Sequence, residues 1–102
     1  MSFRPPPKTR GYHLVTHQEN IPAWIRSLPR VDRLTSRQRE VFLLLGHGMS
    51  NRQIACTLVV SEHTVKAHIA KILKELGVES RLQAGLAALL YLQERHPEVV
   101  AV

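Results

Sequence analysis

The sequence predicts an all-α fold, with four helices in one domain and an N-terminal extension that carries one short helix. One supporting observation is a helix-starting pattern, Ser or Thr followed three residues later by Gln, in which each side chain accepts a hydrogen bond from the other's backbone N–H. It occurs three times, at Thr35-x-x-Gln38, Ser50-x-x-Gln53 and Ser80-x-x-Gln83. The second is that apolar residues after each of these starts recur with helical spacing.

Length and composition set the domain organisation. A chain of 102 residues with 44% hydrophobic content can bury one core but hardly two. We therefore expect one domain over residues 34–96, a C-terminal tail over 97–102 and an N-terminal extension over 1–33. The extension begins as a basic, Pro-rich arm, in which Pro5-Pro6-Pro7 disfavours a helix and disorder is the default expectation.

A short amphipathic helix is predicted within the extension, at about residues 20–28. Asn20 is a suitable N-cap, Pro22 lies near the first helical position, and Pro29 ends the helix. Its apolar face consists of Ile21, Trp24, Ile25 and Leu28. A helix this short is not stable alone, so this face is expected to dock on the domain or on a partner subunit.

The first domain helix is predicted to begin at Thr35 and to stop near Gly46 and Gly48. Its periodicity directs Val41, Leu44 and Leu45 to the core. Leu43 lies roughly opposite. It either touches the Trp24 segment or a second subunit, or is a lone exposed leucine.

The second helix is predicted from Ser50 to about Leu58, with Ile54, Ala55 and Leu58 inward. Asn51 and Arg52 lie in its first turn, where unpaired backbone N–H groups favour a phosphate. Cys56 projects away from Ile54 and is expected to be partly exposed; a tolerated small residue is a simpler interpretation than a redox role. Leu58-Val59-Val60 then forms a turn without glycine.

The central helix, Ser61 to Leu76, has two different faces. Ser61 is a good N-cap, and one face carries the apolar residues Val65, Ile69, Ile72, Leu73 and Leu76. The opposite face carries His63, Lys66, Ala67, Ala70, Lys71 and Lys74, flanked by Thr64. Taken alone, such a lysine-rich face is more often an ordinary solvated face. Its position directly after another short helix and a tight turn instead favours a helix-turn-helix that reads DNA.

Residues Leu34 to about Ala88 resemble the LuxR/FixJ/NarL class of bacterial helix-turn-helix domain. The residues that carry the resemblance are Leu34-Thr35-x-Arg37, Glu40-Val41, Gly48, Ser50-Asn51, Ile54-Ala55, Leu58, Ser61-Glu62, Thr64-Val65-Lys66, His68, Ile72, Leu76-Gly77-Val78, Ser80-Arg81 and Ala84. The resemblance implies a four-helix domain that binds duplex DNA, commonly as a dimer, to regulate transcription.

The predicted DNA-binding residues are Asn51, Arg52, Ser61, His63, Thr64, Lys66, Ala67, Ala70, Lys71 and Lys74. Lys66 is expected to read or straddle the groove edge, whereas Thr64 and Lys71 hold phosphates. Ala67 and Ala70 occupy positions where relatives often place base-reading side chains, so the sequence preference is expected to be loose. His68 lies toward the domain and is interpreted as a hydrogen-bonded structural residue.

The last helix, from Ser80 to about Arg95, is apolar nearly all round. Leu82, Leu86, Leu89 and Leu90 form one face. The other face, Ala84, Ala87, Ala88 and Tyr91, is predicted to be a dimer interface, because a terminal helix has only one core to face. The resemblance implies the same use of this helix.

Charge and composition favour a nucleic-acid partner. The formal net charge is +6 and the sequence pI is about 10.3. No apolar run approaches the roughly 20 residues that a membrane span requires, and the N-terminus lacks a secretory signal. A single cysteine agrees with a reducing compartment, so a cytoplasmic protein without membrane contact is expected. The basic arm, with Arg4, Lys8 and Arg10, can also follow DNA phosphates.

No pattern of catalytic, metal-binding or cofactor-binding residues emerges. His13 and His17 have helical metal spacing, but they lie in the Pro-rich arm without carboxylate or cysteine partners. A glycine-rich phosphate loop is missing from the sequence. We therefore predict a protein that is not an enzyme and needs no cofactor or metal.

Two functions remain after this reasoning. The first is a sequence-specific DNA-binding transcription regulator that acts as a homodimer. The second is a protein-interaction module that forms heterodimers with a larger regulator and modulates its DNA binding. With Met1 and only about 33 residues before the domain, a single-domain regulator is expected rather than a piece of a longer one.

Overall fold

The computed structural model describes residues 21–95, which form five α-helices and one 3-10 helix. In chain order these are α1 (Ala23–Arg26), the 3-10 helix (Leu28–Arg33), α2 (Ser36–Gly46), α3 (Asn51–Leu58), α4 (Glu62–Leu76) and α5 (Arg81–Arg95). This confirms the all-α prediction of four domain helices preceded by a short one. None of these helices has the length and apolar character needed to cross a bilayer. The Pro-rich arm, the Asn20 cap, His13, His17 and the tail 97–102 lie outside the described residues.

Helices α2 and α3 begin with the predicted reciprocal hydrogen bonds. The Gln38 backbone N–H donates to Thr35 Oγ1 at 3.1 Å, and the Thr35 N–H donates to Gln38 Oε1 at 3.0 Å. The corresponding distances between Ser50 and Gln53 are 3.1 and 2.8 Å. These pairs satisfy backbone donors that a helix start leaves free, so the two helices begin where the sequence predicts.

The start of α5 departs from that pattern by one residue. The Gln83 N–H donates to Ser80 Oγ at 3.2 Å, as predicted. The Gln83 side chain, however, accepts its hydrogen bond from the N–H of Glu79 at 3.0 Å, rather than from Ser80. Ser80 still fixes the start of the helix, and Gln83 ties down the residue before it.

The core side of α2 differs in part from the prediction. Val41 and Leu45 are buried as expected, but the third buried residue is Phe42, and Leu44 is only half-buried. Helix α2 packs against both α4 and α5, so its buried strip is wider than one row. Phe42 meets the Tyr91 ring edge-on, with 6.0 Å between ring centroids. Leu43 is half-buried against the core, which removes the lone exposed leucine from its alternatives.

The N-terminal extension is part of the domain core from Ala23 onward. Val31 and Leu34 are buried, and Trp24 packs half-buried against the same core. Ser27 is buried and donates from Oγ to the Trp24 carbonyl at 2.8 Å. The extension therefore docks on its own domain, and the core continues upstream of the predicted boundary at residue 34. After α1 ends, the chain continues as a 3-10 helix that includes Pro29.

Helices α2 and α5 lie almost in backbone contact. A Cβ built on Gly46 would lie 2.8 Å from the Cβ of Ala88 and 3.1 Å from the backbone nitrogen of Leu89. A Cβ on Gly85 would lie 3.1 Å from the carbonyl oxygen of Leu45. Glycine and alanine on the facing strips allow this approach.

This close approach reverses the predicted faces of α5. Ala84, Ala87 and Ala88 are completely buried against the domain's own core, and Tyr91 is half-buried against Phe42. They therefore do not form the predicted outward dimer strip. The outward strip consists of leucines instead: Leu82 is 68% exposed, Leu86 38% and Leu89 41%. The assignment of the alanine face to the dimer was wrong, because these small residues permit close packing against α2.

Substitution of Gly46 by alanine tests this crossing. Alanine normally stabilises a helix relative to glycine. Here the added methyl group would push α5 away, and we expect the free energy of unfolding to fall by about 1–3 kcal/mol in urea titrations. Combining Gly46→Ala with Ala88→Gly should restore part of the loss, because the closest contact disappears. A Gly46→Ala variant as stable as the parent would contradict the close approach.

Candidate nucleic-acid interface

The start of α3 is held by an arginine from a distant part of the chain. Arg81 donates from Nη1 to Asn51 Oδ1 at 2.5 Å and from Nη2 to the Met49 carbonyl at 2.8 Å. One guanidinium thus ties the first turn of α3 to the first turn of α5. Asn51, predicted to position a phosphate, uses its carbonyl oxygen for this contact and keeps its amide NH2 as a donor.

The turn between α3 and α4 contains an unusual backbone conformation. Val59 ends α3 with φ 58° and ψ 52°, in the left-handed region, and its side chain is 87% exposed. A β-branched residue is disfavoured there, so the turn is strained locally. Val60 follows with its N–H donating to the Ala55 carbonyl at 3.0 Å, and its side chain packs against the core. These contacts hold the turn in place without a glycine.

Ser61 fixes the start of α4, as predicted. Its Oγ accepts from the Thr64 backbone N–H at 3.0 Å and is hydrogen-bonded to Thr64 Oγ1 at 2.9 Å. Arg52 and Ser61 line the same open hollow, together with Cys56 and Val59. The start of α3 and the start of α4 therefore meet at one edge of the domain, and Cys56 is exposed there.

The outward face of α4 presents the predicted residues to solvent. His63, Lys66, Ala67, Ala70, Lys71 and Lys74 are all exposed, and Thr64 is half-buried. From His63 to Lys74 the row extends for about 16 Å at the rise of an α-helix. The opposite face is anchored by the buried residues Val65, Ile69, Ile72 and Leu76. The helix is thus divided into a packed face and a free basic face.

At the far end of α4, basic side chains adjoin α2. Lys71 and Lys74 line a cleft with Gln38 and Glu75. Arg33, from the 3-10 helix, lies 3.8 Å from Glu75, measured from Nη1 to Oε2. Both partners are well exposed, so the pair adds little to stability. Its effect here is to offset the one carboxylate within this basic region.

His68 differs from its predicted role. It is half-buried on the domain side of α4, as expected. Its Nδ1, however, is buried and has no hydrogen-bond partner among residues 21–95. The interpretation of His68 as a hydrogen-bonded structural residue is therefore wrong for this nitrogen.

The predicted DNA-binding residues form two neighbouring groups. One consists of Arg52 and Ser61, which line one hollow, and of Asn51, which precedes Arg52 and contacts Arg81. The other is the exposed row along α4. The sequence predicted no role for Arg81, although Arg81 is one of the residues that carry the family resemblance. Its contact with Asn51 spans 30 positions, and no local pattern reports such a pair.

Two short helices joined by a tight turn, with an exposed basic face on the second, define a helix-turn-helix protein. Comparison with protein families places residues 32–88, more than half of the chain, in the bacterial regulatory proteins of the luxR family. The chain belongs to this family. Its members are transcription regulators and not enzymes, which confirms the prediction on enzymatic activity.

Individual relatives agree with this assignment. The nitrate/nitrite response regulator protein NarP of Escherichia coli is 47% identical over 62 residues, which is 61% of this chain and 27% of NarP. The uncharacterized transcriptional regulatory protein YhcZ of Bacillus subtilis is 37% identical over 82 residues, 78% of this chain and 36% of YhcZ. The spore germination protein GerE of B. subtilis is 47% identical over 51 residues, half of this chain and 69% of GerE.

The matched region spans only about a quarter of NarP and about a third of YhcZ. No solved structure matches the chain significantly. The family is nevertheless DNA-binding, so a DNA partner fits it.

Replacing Val59 by asparagine tests the strain in the turn. Asparagine tolerates the left-handed conformation, and we expect the free energy of unfolding to rise by about 1 kcal/mol in urea titrations. Val59→Ala is the matched control, since it removes the β-branch but keeps a side chain that disfavours this conformation. It should gain less than Val59→Asn. An asparagine variant no more stable than the parent would contradict the assigned strain.

Proposed function

We propose that this protein is a sequence-specific regulator of transcription that binds duplex DNA as a homodimer, with α4 in the major groove. The observation that carries the proposal is the exposed row of α4, where two alanines lie between the first and the second of three lysines. The alanines leave room for the helix backbone to approach base edges, and the lysines supply donors for guanine or phosphate. This is the arrangement in which a recognition helix enters a groove about 12 Å wide.

The charges around α4 support a polyanionic partner. Within residues 21–95, Lys66, Lys71 and Lys74 make no ion pair with a carboxylate. The two acidic residues of α4 lie in its first and last turns, away from the middle of the row. Lysines that are not neutralised by the protein can displace counterions from DNA, so binding should weaken steeply as the salt concentration rises.

The proposed roles follow from positions along the interface. Lys66, near the start of α4, is assigned to the groove edge. Thr64 and Lys71 are assigned to phosphates, as is Arg52 at the first turn of α3. Ala67 and Ala70 can contact a thymine methyl group but cannot donate hydrogen bonds to bases. Base reading is therefore concentrated on few side chains.

The leucine strip of α5 supports self-association. Leu82, Leu86 and Leu89 stand one helical turn apart and are exposed. Beside them is a groove of about 310 Å³ that is also lined by Gly46, Gly48 and Met49. In a symmetric dimer, the leucines of each copy would cover this groove on the other, and two copies of α4 would reach successive major grooves about 34 Å apart.

The first experiment is selection from a random pool of duplex DNA, followed by titration of the selected duplex at several salt concentrations. The proposal predicts an inverted repeat with half-sites about one helical turn apart. Recovery of no preferred sequence would contradict it. If the leucine strip served another regulator instead, this protein alone would select at most a single half-site.

Substitution of Lys66 by alanine should weaken binding to the selected duplex by about 1–3 kcal/mol, because a donor at the groove edge is lost. The fold should remain intact, since the side chain is exposed. Fluorescence anisotropy measures the affinity, and urea titration measures stability.

Arg37→Ala is the matched control for that variant. Arg37 is also exposed and carries the same charge, but it lies on α2 and near Glu40. The Arg37→Ala variant should lose affinity equally for the selected and the scrambled duplex. This loss should be smaller than the loss that Lys66→Ala causes for the selected duplex. A Lys66→Ala variant with unchanged affinity would remove α4 from the interface.

Substitution of Leu86 by glutamate tests the dimer. The carboxylate would be placed in the apolar contact, and we expect the sedimentation profile to shift from dimer to monomer. Affinity for the inverted repeat should fall toward that for a single half-site. The charge-matched control is Gln93→Glu, at an exposed position near the end of α5, which should leave the dimer unchanged. A dimeric Leu86→Glu protein would contradict the assigned surface.

A further inference from the structure

The last turn of α4 ends in a left-handed backbone conformation, which glycine adopts without strain. Gly77 follows the helix with φ 71° and ψ 30°. The N–H groups of Gly77 and Val78 both donate to the Leu73 carbonyl, at 2.9 and 3.1 Å. The Gly77 N–H also donates to the Lys74 carbonyl at 3.3 Å, so two carbonyls of the last turn are satisfied, but others at a helix end still need donors.

Arg30 supplies one of those donors from the N-terminal extension. Its Nη1 lies 3.4 Å from the carbonyl oxygen of Leu76, the last residue of α4. The guanidinium also covers Gly77 so closely that a Cβ on that residue would collide with Nη1. Glycine at position 77 is therefore favoured by its backbone angle, and a side chain there would displace the guanidinium of Arg30.

The position of Arg30 is fixed by the segment that carries it. Val31, the next residue, is completely buried, and Leu34 is 5% exposed. Arg39 of α2 donates to the Val31 carbonyl at 3.4 Å. The 3-10 helix is thus attached to the core beside the arginine, and the arginine is directed to the end of α4.

We infer that Arg30 is a positioning residue for the recognition helix: it completes the C-terminal cap of α4 from outside the helix-turn-helix. A positive charge at a helix C-terminus is favourable because the free carbonyls there carry partial negative charge. This role concerns a residue upstream of the region 32–88 that matches the family. Its effect on DNA binding rests on the proposed function, whereas the contact itself does not.

The cap matters for binding because of what the last turns of α4 carry. Lys71 and Lys74 stand on the exposed face within two turns of Gly77. A frayed end would let both lysines move, and ordering them again on DNA would reduce affinity. Arg30 thereby affects DNA binding without reaching the DNA.

The test compares Arg30→Ala with Arg26→Ala. Both arginines are exposed and line the same cavity of about 230 Å³ beside Leu76 and Gly77. Among the hydrogen bonds of residues 21–95, only that of Arg30 joins this pair of arginines to the end of α4. Since each variant removes one positive charge from the same segment, the general electrostatic loss toward DNA should be similar.

Amide hydrogen exchange gives the first measurement. We expect Arg30→Ala to accelerate exchange at Gly77 and Val78 by about five- to tenfold relative to the parent. The slowest amides of α2 should accelerate less, because the change is local. In Arg26→Ala, the ratio of the exchange rates at Gly77 and Val78 to those of the slowest α2 amides should be the same as in the parent. No acceleration, or an equal one in α2, would overturn the positioning role.

Binding gives the second measurement. The affinity for the selected duplex should fall roughly three- to tenfold more in Arg30→Ala than in Arg26→Ala, because only Arg30 holds the end of α4. Equal losses of affinity in the two variants would overturn the effect on DNA binding. If the parent itself discriminates no sequence, the proposed function fails, and the exchange measurement still decides the contact.

A double-mutant cycle with Gly77→Ala checks the geometry independently. In the parent, the added methyl group both strains the backbone and displaces the guanidinium. In the Arg30→Ala background only the backbone strain remains, so the change in the unfolding equilibrium constant should be several-fold smaller. Equal changes in both backgrounds would show that Arg30 does not lie on Gly77.

Discussion

The close approach of α2 and α5 is the constraint on which the rest of the domain depends. At Gly46 and Gly85 the two helices leave no room for a side chain between their backbones. Ala84, Ala87 and Ala88 fill what space remains, and Phe42 closes the end against Tyr91. This compact pair forms the support against which α4 packs with one face. Because α4 needs only that face for packing, its outer face has no role in folding.

The helix that bears the basic face is held at both ends as well as along its inner side. Ser61 caps its start, and Gly77 with Arg30 closes its end. The α3 helix that precedes it is fixed in turn through Arg81, which bridges to α5. These contacts orient α4 without using the side chains of its exposed basic face. A groove-binding helix needs that separation, since side chains occupied by the fold could not meet DNA.

The sequence was informative wherever a feature is local. Capping boxes gave the starts of α2 and α3 because both partners lie within one turn, and periodicity gave the two faces of α4. Sequence patterns did not predict features that depend on packing between distant segments. The alanines and leucines of α5 are both apolar, and only the approach of α2 decides which strip is buried. Likewise, Arg30 and Leu76 are 46 positions apart, so no pattern within the helix reveals its cap.

The exposed face of α4 and the stability of the domain are therefore separate properties. Lys66, Ala67 and Ala70 are exposed and lie outside the core, so their identity can change at little cost to folding. In this chain two of these positions are alanine, which can touch a methyl group but cannot read a hydrogen-bond pattern. Under the proposed function, affinity comes mainly from phosphate contacts and from pairing two weakly selective half-sites. The proposed dimer would then gain its selectivity from the spacing of two helices more than from either one, which makes the proposed dimer surface as important to the proposed DNA recognition as α4.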